Sequence, residues 1–299
     1  GPVMADRALG RLSKLMNWYA VSDDDFISPI TPGMRLTKEK DHTRSRVLTD
    51  EELKACWITA RRKPRWNNGP NVFGGIVMAC LLTAQRRDAV AGMRHSEIIG
   101  DVWNIPPARD KGGKLRAIPL SATMLQLIAE QPRIDGCDFV FTTNGTAAFS
   151  GFSRSKRYFD EAMVDLMIER ANTRQDKAAI ADLADIQKLT ACAEGDDAPK
   201  AEAAKEELKK RGWRIHDLRR TAKTLMARAG VRPDISERVL SHDIAGVEGI
   251  YDRWDYGAEK RDALIKLEQI IHQILQDGER IPDARPDQPR AKIQNNQLI

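Results

Sequence analysis

Between Glu97 and Leu120 the sequence abandons the helical spacing that governs the rest of the chain, and this interruption constrains the fold more than any other feature. Short apolar runs, Ile98-Ile99, Val102-Trp103-Asn104-Ile105 and Ala117-Ile118-Pro119-Leu120, are punctuated by Gly100 and Gly112-Gly113. That is the pattern of a small antiparallel sheet. On either side, apolar residues recur at three- and four-residue steps, as amphipathic helices require. The expected fold is therefore mainly α with a small antiparallel β-sheet, an α+β arrangement.

The helical segments can be placed from their caps and stripes. A first helix from about Ala5 to Ala20 carries Leu9, Leu12, Leu15, Met16 and Tyr19 and is too short to fold alone. Residues 23–46 mix Pro29, Pro32 and Gly33 with charged residues and no period, which reads as an exposed linker and a domain boundary. Thr49 with Glu52 forms a capping box that starts a helix near Asp50. Val72 to Thr83 has a broad apolar face, as a core helix does. Helices are also expected from Ser121 to Glu130, Ser153 to about Ala171, Asp217 to Ala229, Pro233 to Leu240 and Ala258 to Leu275. Residues 172–211, rich in Ala, Asp, Glu and Lys with a turn at Glu194-Gly195-Asp196-Asp197, read as an insert, a helical hairpin or a partly disordered segment. A main domain over 47–276 and a polar tail over 277–299 complete the division.

Composition narrows the class without naming a function. The 299 residues carry 48 Lys plus Arg against 43 Asp plus Glu, a net charge of +5 that permits nucleic-acid binding. Cys56, Cys80, Cys137 and Cys192 are scattered with no C-x-x-C pair, so neither a zinc knuckle nor a disulfide framework is suggested. No apolar run approaches the roughly 20 residues that cross a bilayer, and the N-terminus shows no secretory pattern. A soluble protein of the bacterial cytoplasm, with no membrane partner, is the expectation. Gly1-Pro2 has the form of a cleaved tag, and the helical pattern then begins abruptly, as in part of a longer protein.

The chemistry concentrates in Trp213-Arg214-Ile215-His216-Asp217-Leu218-Arg219-Arg220-Thr221-Ala222. His216 and Arg219 fall one turn apart on a face away from the stripe Leu218, Ala222, Leu225, Met226 and Ala229, so both can meet one ligand. Gly230 ends this helix, Pro233 opens the next, and Leu240-Ser241-His242 follows, with Tyr251 nine residues after His242. Taken singly, each of these residues has an ordinary structural reading, such as a helix-end charge or a half-buried tyrosine. Their joint order is what carries meaning.

In that order the chain resembles the catalytic domain of tyrosine recombinases, the phage-type integrases. Their motifs are H-x-x-R, then L-x-H, then a tyrosine about nine residues on. Upstream, Thr83-Ala84-Gln85-Arg86 is similar to the family's T-G-x-R, which designates Arg86 as the first catalytic arginine. Lys111-Gly112-Gly113-Lys114-Leu115-Arg116-Ala117-Ile118-Pro119-Leu120 is similar to K-G-x-K-x-R-x-x-P-L, which designates Lys111. The resemblance runs from about Arg46 to Leu275. The chain departs from the family where Ala84 and Ser241 stand for the usual glycines, where Ala89 stands for an acidic residue, and where His95 replaces an aromatic.

The resemblance implies a site-specific DNA recombinase, or integrase of a mobile element, working through a 3′-phosphotyrosyl intermediate. Tyr251 is the implied nucleophile, with Arg86 and Arg219 as the charge clamp on the phosphate. His216 and His242 are implied hydrogen-bond donors to its oxygens, and Lys111 the acid for the departing 5′ hydroxyl. No cofactor and no metal are implied, since the arginines neutralise the phosphate as Mg²⁺ does elsewhere. Implied partners are double-stranded DNA attachment sites, further copies in a tetramer on synapsed DNA, and accessory DNA-bending or directionality proteins. Residues 1–22 would be the remnant of an N-terminal core-binding domain. A type IB topoisomerase and a catalytically inactive DNA-binding regulator are the alternatives.

Two further expectations concern the C-terminal part. Tyr256 lies at the wrong spacing from His242 and reads as a packing residue. The stripe Leu267, Ile270, Ile271 and Ile274 is more apolar than a terminal surface helix requires. It suggests that 258–275 docks on a neighbouring protomer, as that helix commonly does in the family. The alternative is that it folds back on its own core.

Overall fold

The computed structural model describes residues 1–37, 44–64, 71–110, 113–195, 197–241 and 254–276. The chain divides into two units, Gly1–Ser45 and Arg46–Ile299.

In the first unit, helix α1 spans Pro2–Tyr19, with proline in the first turn where its missing N–H is harmless. None of its residues is buried, and Leu12, Leu15 and Trp18 are exposed. The segment read as a linker is tied back to this helix. The Asp6 carboxylate accepts from the backbone N–H groups of Leu36 and Thr37, both at 2.8 Å. Tyr19 stands edge-on to Phe26 with ring centroids 5.0 Å apart.

The second unit is built around one helix. Helix α2 spans Asp50–Arg61 and starts with the expected capping box: Thr49 Oγ1 accepts from Glu52 N at 3.2 Å and Glu52 Oε2 from Thr49 N at 2.9 Å. Helix α3 spans Val72–Thr83, and all 12 of its residues are buried. Asn71 joins the two helices. Its Oδ1 accepts from Gly74 N at 2.8 Å, while its Nδ2 donates to the carbonyls of Ala60 and Arg62 at 3.0 Å each. Gly74 permits the close approach of the helices, because a Cβ there would lie 2.2 Å from the Ala60 carbonyl oxygen.

A short helix α4, Arg87–Ala91, leads to the sheet of β1 (Ile98–Ile99), β2 (Val102–Ile105) and β3 (Arg116–Pro119), antiparallel and in sequence order. Trp103 faces Ile118 and Ile105 faces Arg116 across the β2–β3 pair. Alternation places Trp103, Ile105 and Ile118, all buried, on the core side. Helix α5 (Ala122–Ala129) starts from Ser121, whose hydroxyl accepts from Met124 N at 3.3 Å. Then come α6 (Phe152–Thr173), α7 (Lys177–Ala193), α8 (Ala198–Arg211), α9 (Ile215–Arg228), α10 (Pro233–Val239) and α11 (Gly257–Gln276). The insert is thus a helical hairpin, α7 and α8, packed on α6.

Two expectations need correction. Helix α9 begins at Ile215 rather than Asp217, because Asp217 does not cap the helix from outside: it sits in the first turn and its carboxylate reaches back to Arg214 N at 2.9 Å. The apolar stripe of α11 does not wait for a partner. Leu264, Leu267, Ile271 and Ile274 are at most 2% exposed and belong to the unit's own core, and His272 packs edge-on against Trp57. The argument for docking a neighbouring protomer through 258–275 therefore loses its basis. Burying such a side chain contributes about 2 kcal/mol each, which the helix obtains by folding back. Lys260 adds a tether from this helix to the sheet, its Nζ donating to the Ala117 carbonyl at 3.0 Å.

Candidate active site

Residue 84 is where α3 stops. Ala84 has φ +55° and ψ +20°, a left-handed conformation that costs an L-residue about 1–2 kcal/mol, and it is fully buried. The turn brings Gln85 inside, where its Nε2 donates to the Thr83 carbonyl at 3.0 Å and to the Val239 carbonyl at 2.7 Å. The α3–α4 corner is thereby stitched to the C-terminal end of α10. Arg86 follows in extended conformation as the residue preceding α4, with its side chain half-buried.

Arg219, on the second turn of α9, completes the stitch. Its guanidinium donates from Nη1 to the Ala84 carbonyl at 2.7 Å and from Nη2 to the Leu240 carbonyl, and the residue is 3% exposed. Ser241, immediately after Leu240, is also left-handed, at φ +54°. Ala84 and Ser241, the two positions where the resemblance leads one to expect glycine, are therefore both left-handed. Ala84 itself supplies one of the carbonyls that hold Arg219, and Ser241 directly follows Leu240, which supplies the other. Strain held on both sides of one buried cation is characteristic of functional sites.

The electrostatics bring three of the expected residues together. Burial and the charges of Arg86 and Arg116 push the Arg219 guanidinium down to about 10, with Glu237 acting in the opposite sense. Burial, then the charges of Arg220, Arg219 and Arg86, hold the His216 imidazole below its ordinary value, although the residue as a whole is exposed. Arg86, His216 and Arg219 thus lie within electrostatic reach of one another. His216 is neutral near physiological pH and able to accept a proton. Cys80 is within electrostatic reach of Arg219, but burial pushes its thiol up to about 12, which leaves no thiolate to act as a nucleophile.

Arg116 was given no role by its place in the β2–β3 motif. Its side chain is 15% exposed and pairs through Nε with Asp110, itself 4% exposed. The same Asp110 accepts from Lys114 N at 3.2 Å, closing the turn between the strands. The alternation of β3, with Ile118 buried two residues on, already marks Arg116 as inward-facing, and that was the overlooked signal. Gln85 had no such signal, since its partner Val239 is remote in sequence.

Lys111, His242 and Tyr251 lie outside the described residues, so their expected roles rest on the sequence. Tyr256 packs against the core, with the Arg238 guanidinium carbon 3.8 Å from its ring centroid. Among the described residues no group of three or more His, Cys, Asp or Glu side chains could hold a metal ion.

No protein-family model matches the chain, and no curated protein is similar to it in sequence. Among solved structures it is similar to a lambda integrase dimer bound to a COC′ core site, at 16% identity and a TM-score of 0.47 over 78% of this chain and 70% of that one. It is similar to the lambda integrase catalytic core at 18% identity and a TM-score of 0.40, over 68% of this chain and 95% of that one. An integrase from mycobacterium phage Brujita gives 13% identity and a TM-score of 0.42 over 89% and 75% of the two chains. No residue role is carried over from them.

Proposed function

We propose that this chain is a tyrosine-type site-specific DNA recombinase that cleaves and rejoins strands through a 3′-phosphotyrosyl intermediate, in the manner of an integrase of a mobile element. The observation that carries the reading is that Arg86 lies within electrostatic reach of the His216–Arg219 pair of α9, two segments remote in sequence that the motif order had singled out together.

The chemistry follows from their properties. A phenol has a pKa of about 10, so its attack on phosphorus at neutral pH needs a proton acceptor and a field that stabilises the developing phenolate. Tyr251 Oη forms the new bond to phosphorus while the bond to the 5′ oxygen breaks. His216, neutral in the resting site, takes the phenol proton. Lys111 supplies a proton to the departing 5′ oxygen, so the strand leaves as a 5′ hydroxyl. Arg86 and Arg219 neutralise the non-bridging oxygens in the five-coordinate transition state, each contributing about 3 kcal/mol. His242 donates a further hydrogen bond to those oxygens. The phosphotyrosyl ester conserves the energy of the phosphodiester, so attack by another 5′ hydroxyl reseals the DNA without ATP.

Double-stranded DNA is the partner this chemistry requires, and the net charge of +5 favours it. Binding weakens steeply with salt, the logarithm of affinity falling by roughly 0.9 per phosphate contacted for each decade of salt. Exchange between two duplexes engages four strands, so the working form is a tetramer on synapsed DNA, joined through surfaces other than the buried stripe of α11. A nicked suicide substrate tests the proposal: a protein–DNA adduct that survives denaturant is expected, and its absence contradicts the reading. Exchange of strands between two duplexes, rather than relaxation of supercoils alone, separates recombination from topoisomerase activity.

A further inference from the structure

Helix α4 starts immediately after Arg86, yet little in the helix itself holds it in place. Its 5 residues are too few for local forces to keep it folded, and no side chain caps its N-terminus. The support comes from Arg109, in a short 3₁₀ turn after β2 (Pro107–Arg109) and 17 residues beyond Gly92. Arg109 Nη1 donates to the Gly92 carbonyl and lies 3.5 Å from the Ala89 carbonyl oxygen, so a cation closes the C-terminal end of α4. Gly92 makes room for it, because a Cβ there would stand 2.4 Å from Nη1. The guanidinium is fixed in turn. Its Nη2 donates to Glu97 Oε2 at 2.5 Å, and that same oxygen accepts from Trp103 Nε1 at 3.0 Å and from Arg94 N at 3.2 Å. The Glu97 side chain is 9% exposed and Trp103 is fully buried on β2. One arginine thereby joins α4 to the core side of the sheet, while Gln85, on the other side of Arg86, is tied to the Val239 carbonyl.

We propose that Arg109 is a positioning residue for Arg86: by holding α4 to Glu97 and Trp103 it fixes the backbone from which Arg86 reaches the non-bridging phosphate oxygens. The inference rests on the recombinase reading for the role of Arg86. Arg109 acts through α4, along the bonds from Val90 N to the Arg86 carbonyl at 3.0 Å and from Gly92 N to the Asp88 carbonyl at 3.2 Å. A planar fork suits the task, since it grips the helix carbonyls and the carboxylate at once and leaves the helix no freedom to swing. The alternative is a purely structural tie between α4 and the sheet, with no particular consequence for Arg86.

The two roles are separated by a pair of nicked substrates, one with an ordinary scissile phosphodiester and one with a methylphosphonate there. In the second a methyl group replaces one non-bridging oxygen, the phosphorus centre carries no negative charge, and an arginine that neutralises that charge becomes dispensable. The rate of strand cleavage by the full chain is measured on both. Arg86→Ala is the reference, slowed by about 10²–10³-fold on the phosphodiester and far less on the methylphosphonate. Arg109→Gln is expected to show the same selectivity at smaller size, about tenfold slower on the phosphodiester and as fast as the unchanged chain on the methylphosphonate. Equal slowing on both substrates, or no slowing on either, overturns the proposal. If Arg109→Gln does not fold, Gly92→Ala decides: its methyl displaces the guanidinium while Arg109 and Glu97 both remain, and the same selectivity is expected. Failure of the unchanged chain to cleave either substrate contradicts the recombinase reading itself and removes the inference with it.

Discussion

Helix α3 and the α7–α8 hairpin are both helical, yet different forces make them so. The hairpin is Ala-, Lys- and Glu-rich, and each of its helices starts from an aspartate cap: Asp176 accepts from Ala179 N at 3.0 Å and Asp197 from Lys200 N at 3.3 Å. Local propensity and capping suffice for it. It buries only Leu183 from α7 and Ala201 and Ala204 from α8, and surface ion pairs such as those of Arg211 with Asp182 and Asp185 hold it together. Helix α3, by contrast, contains Gly74, Gly75 and several β-branched residues, a poor helix former on its own, and is helical because it is enclosed on every side. The candidate site hangs on its C-terminal end. Arg219 and Gln85 can be held to fixed carbonyls there because α3 has no room to shift.

That contrast can be broken by substitutions of matched type in the two regions. The largest expected effect is on chemistry: Arg219→Ala lowers the rate of adduct formation by about 10²–10³-fold. Arg211→Ala, which removes only partly exposed ion pairs, leaves that rate unchanged and costs under about 1 kcal/mol in urea unfolding. A fall in rate with Arg211→Ala would show that the hairpin supports the site after all. Next is Gly74→Ala, whose methyl would meet the Ala60 carbonyl and is expected to destabilise by about 3 kcal/mol. Gly195→Ala in the hairpin turn, where the nearest atom lies 3.4 Å from the added carbon, changes stability by less than about 0.5 kcal/mol. Equal effects of the two glycine substitutions would remove the distinction between enclosed and autonomous helices.

A smaller effect is expected from pH. Because the His216 pKa is lowered in the folded protein, the unfolded chain takes up a proton at a higher pH than the native state does. Its contribution therefore reduces stability as pH falls from above the ordinary value of about 6.5 through the folded value. His216→Gln should flatten this part of a Tm-versus-pH curve, and an unchanged slope would mean that neither burial nor the arginines shift the imidazole. The smallest effect sharpens the corner itself. Ala84→Gly removes the left-handed penalty but adds backbone entropy to the unfolded chain, for a net gain of about 0.5 kcal/mol. Destabilisation instead would show that the buried methyl contributes more than the strain costs.

Much of this was legible in the sequence because the relevant rules are local. The Thr49–Glu52 box, the alternation of β2 and β3, and the Gly195-centred turn of the insert all act within a few residues. The order of Arg86, His216 and Arg219 was legible too, although nothing local explains why they approach. What escaped was set by tertiary context. The stripe of α11 looks the same whether it faces a partner or its own core, and only the positions of Trp57 and the other helices decide. The departures at 84 and 241 had no structural meaning in the sequence alone, and the backbone places both in the left-handed region.

The most direct test of the central claim is to identify the amino acid joined to DNA. The adduct formed on a suicide substrate is digested with protease and nuclease, and the nucleotide-bearing peptide is sequenced by mass spectrometry. The account predicts a 3′-phosphotyrosyl link at Tyr251 and no adduct from Tyr251→Phe. A link at Tyr256, or an adduct that persists in Tyr251→Phe, would contradict it.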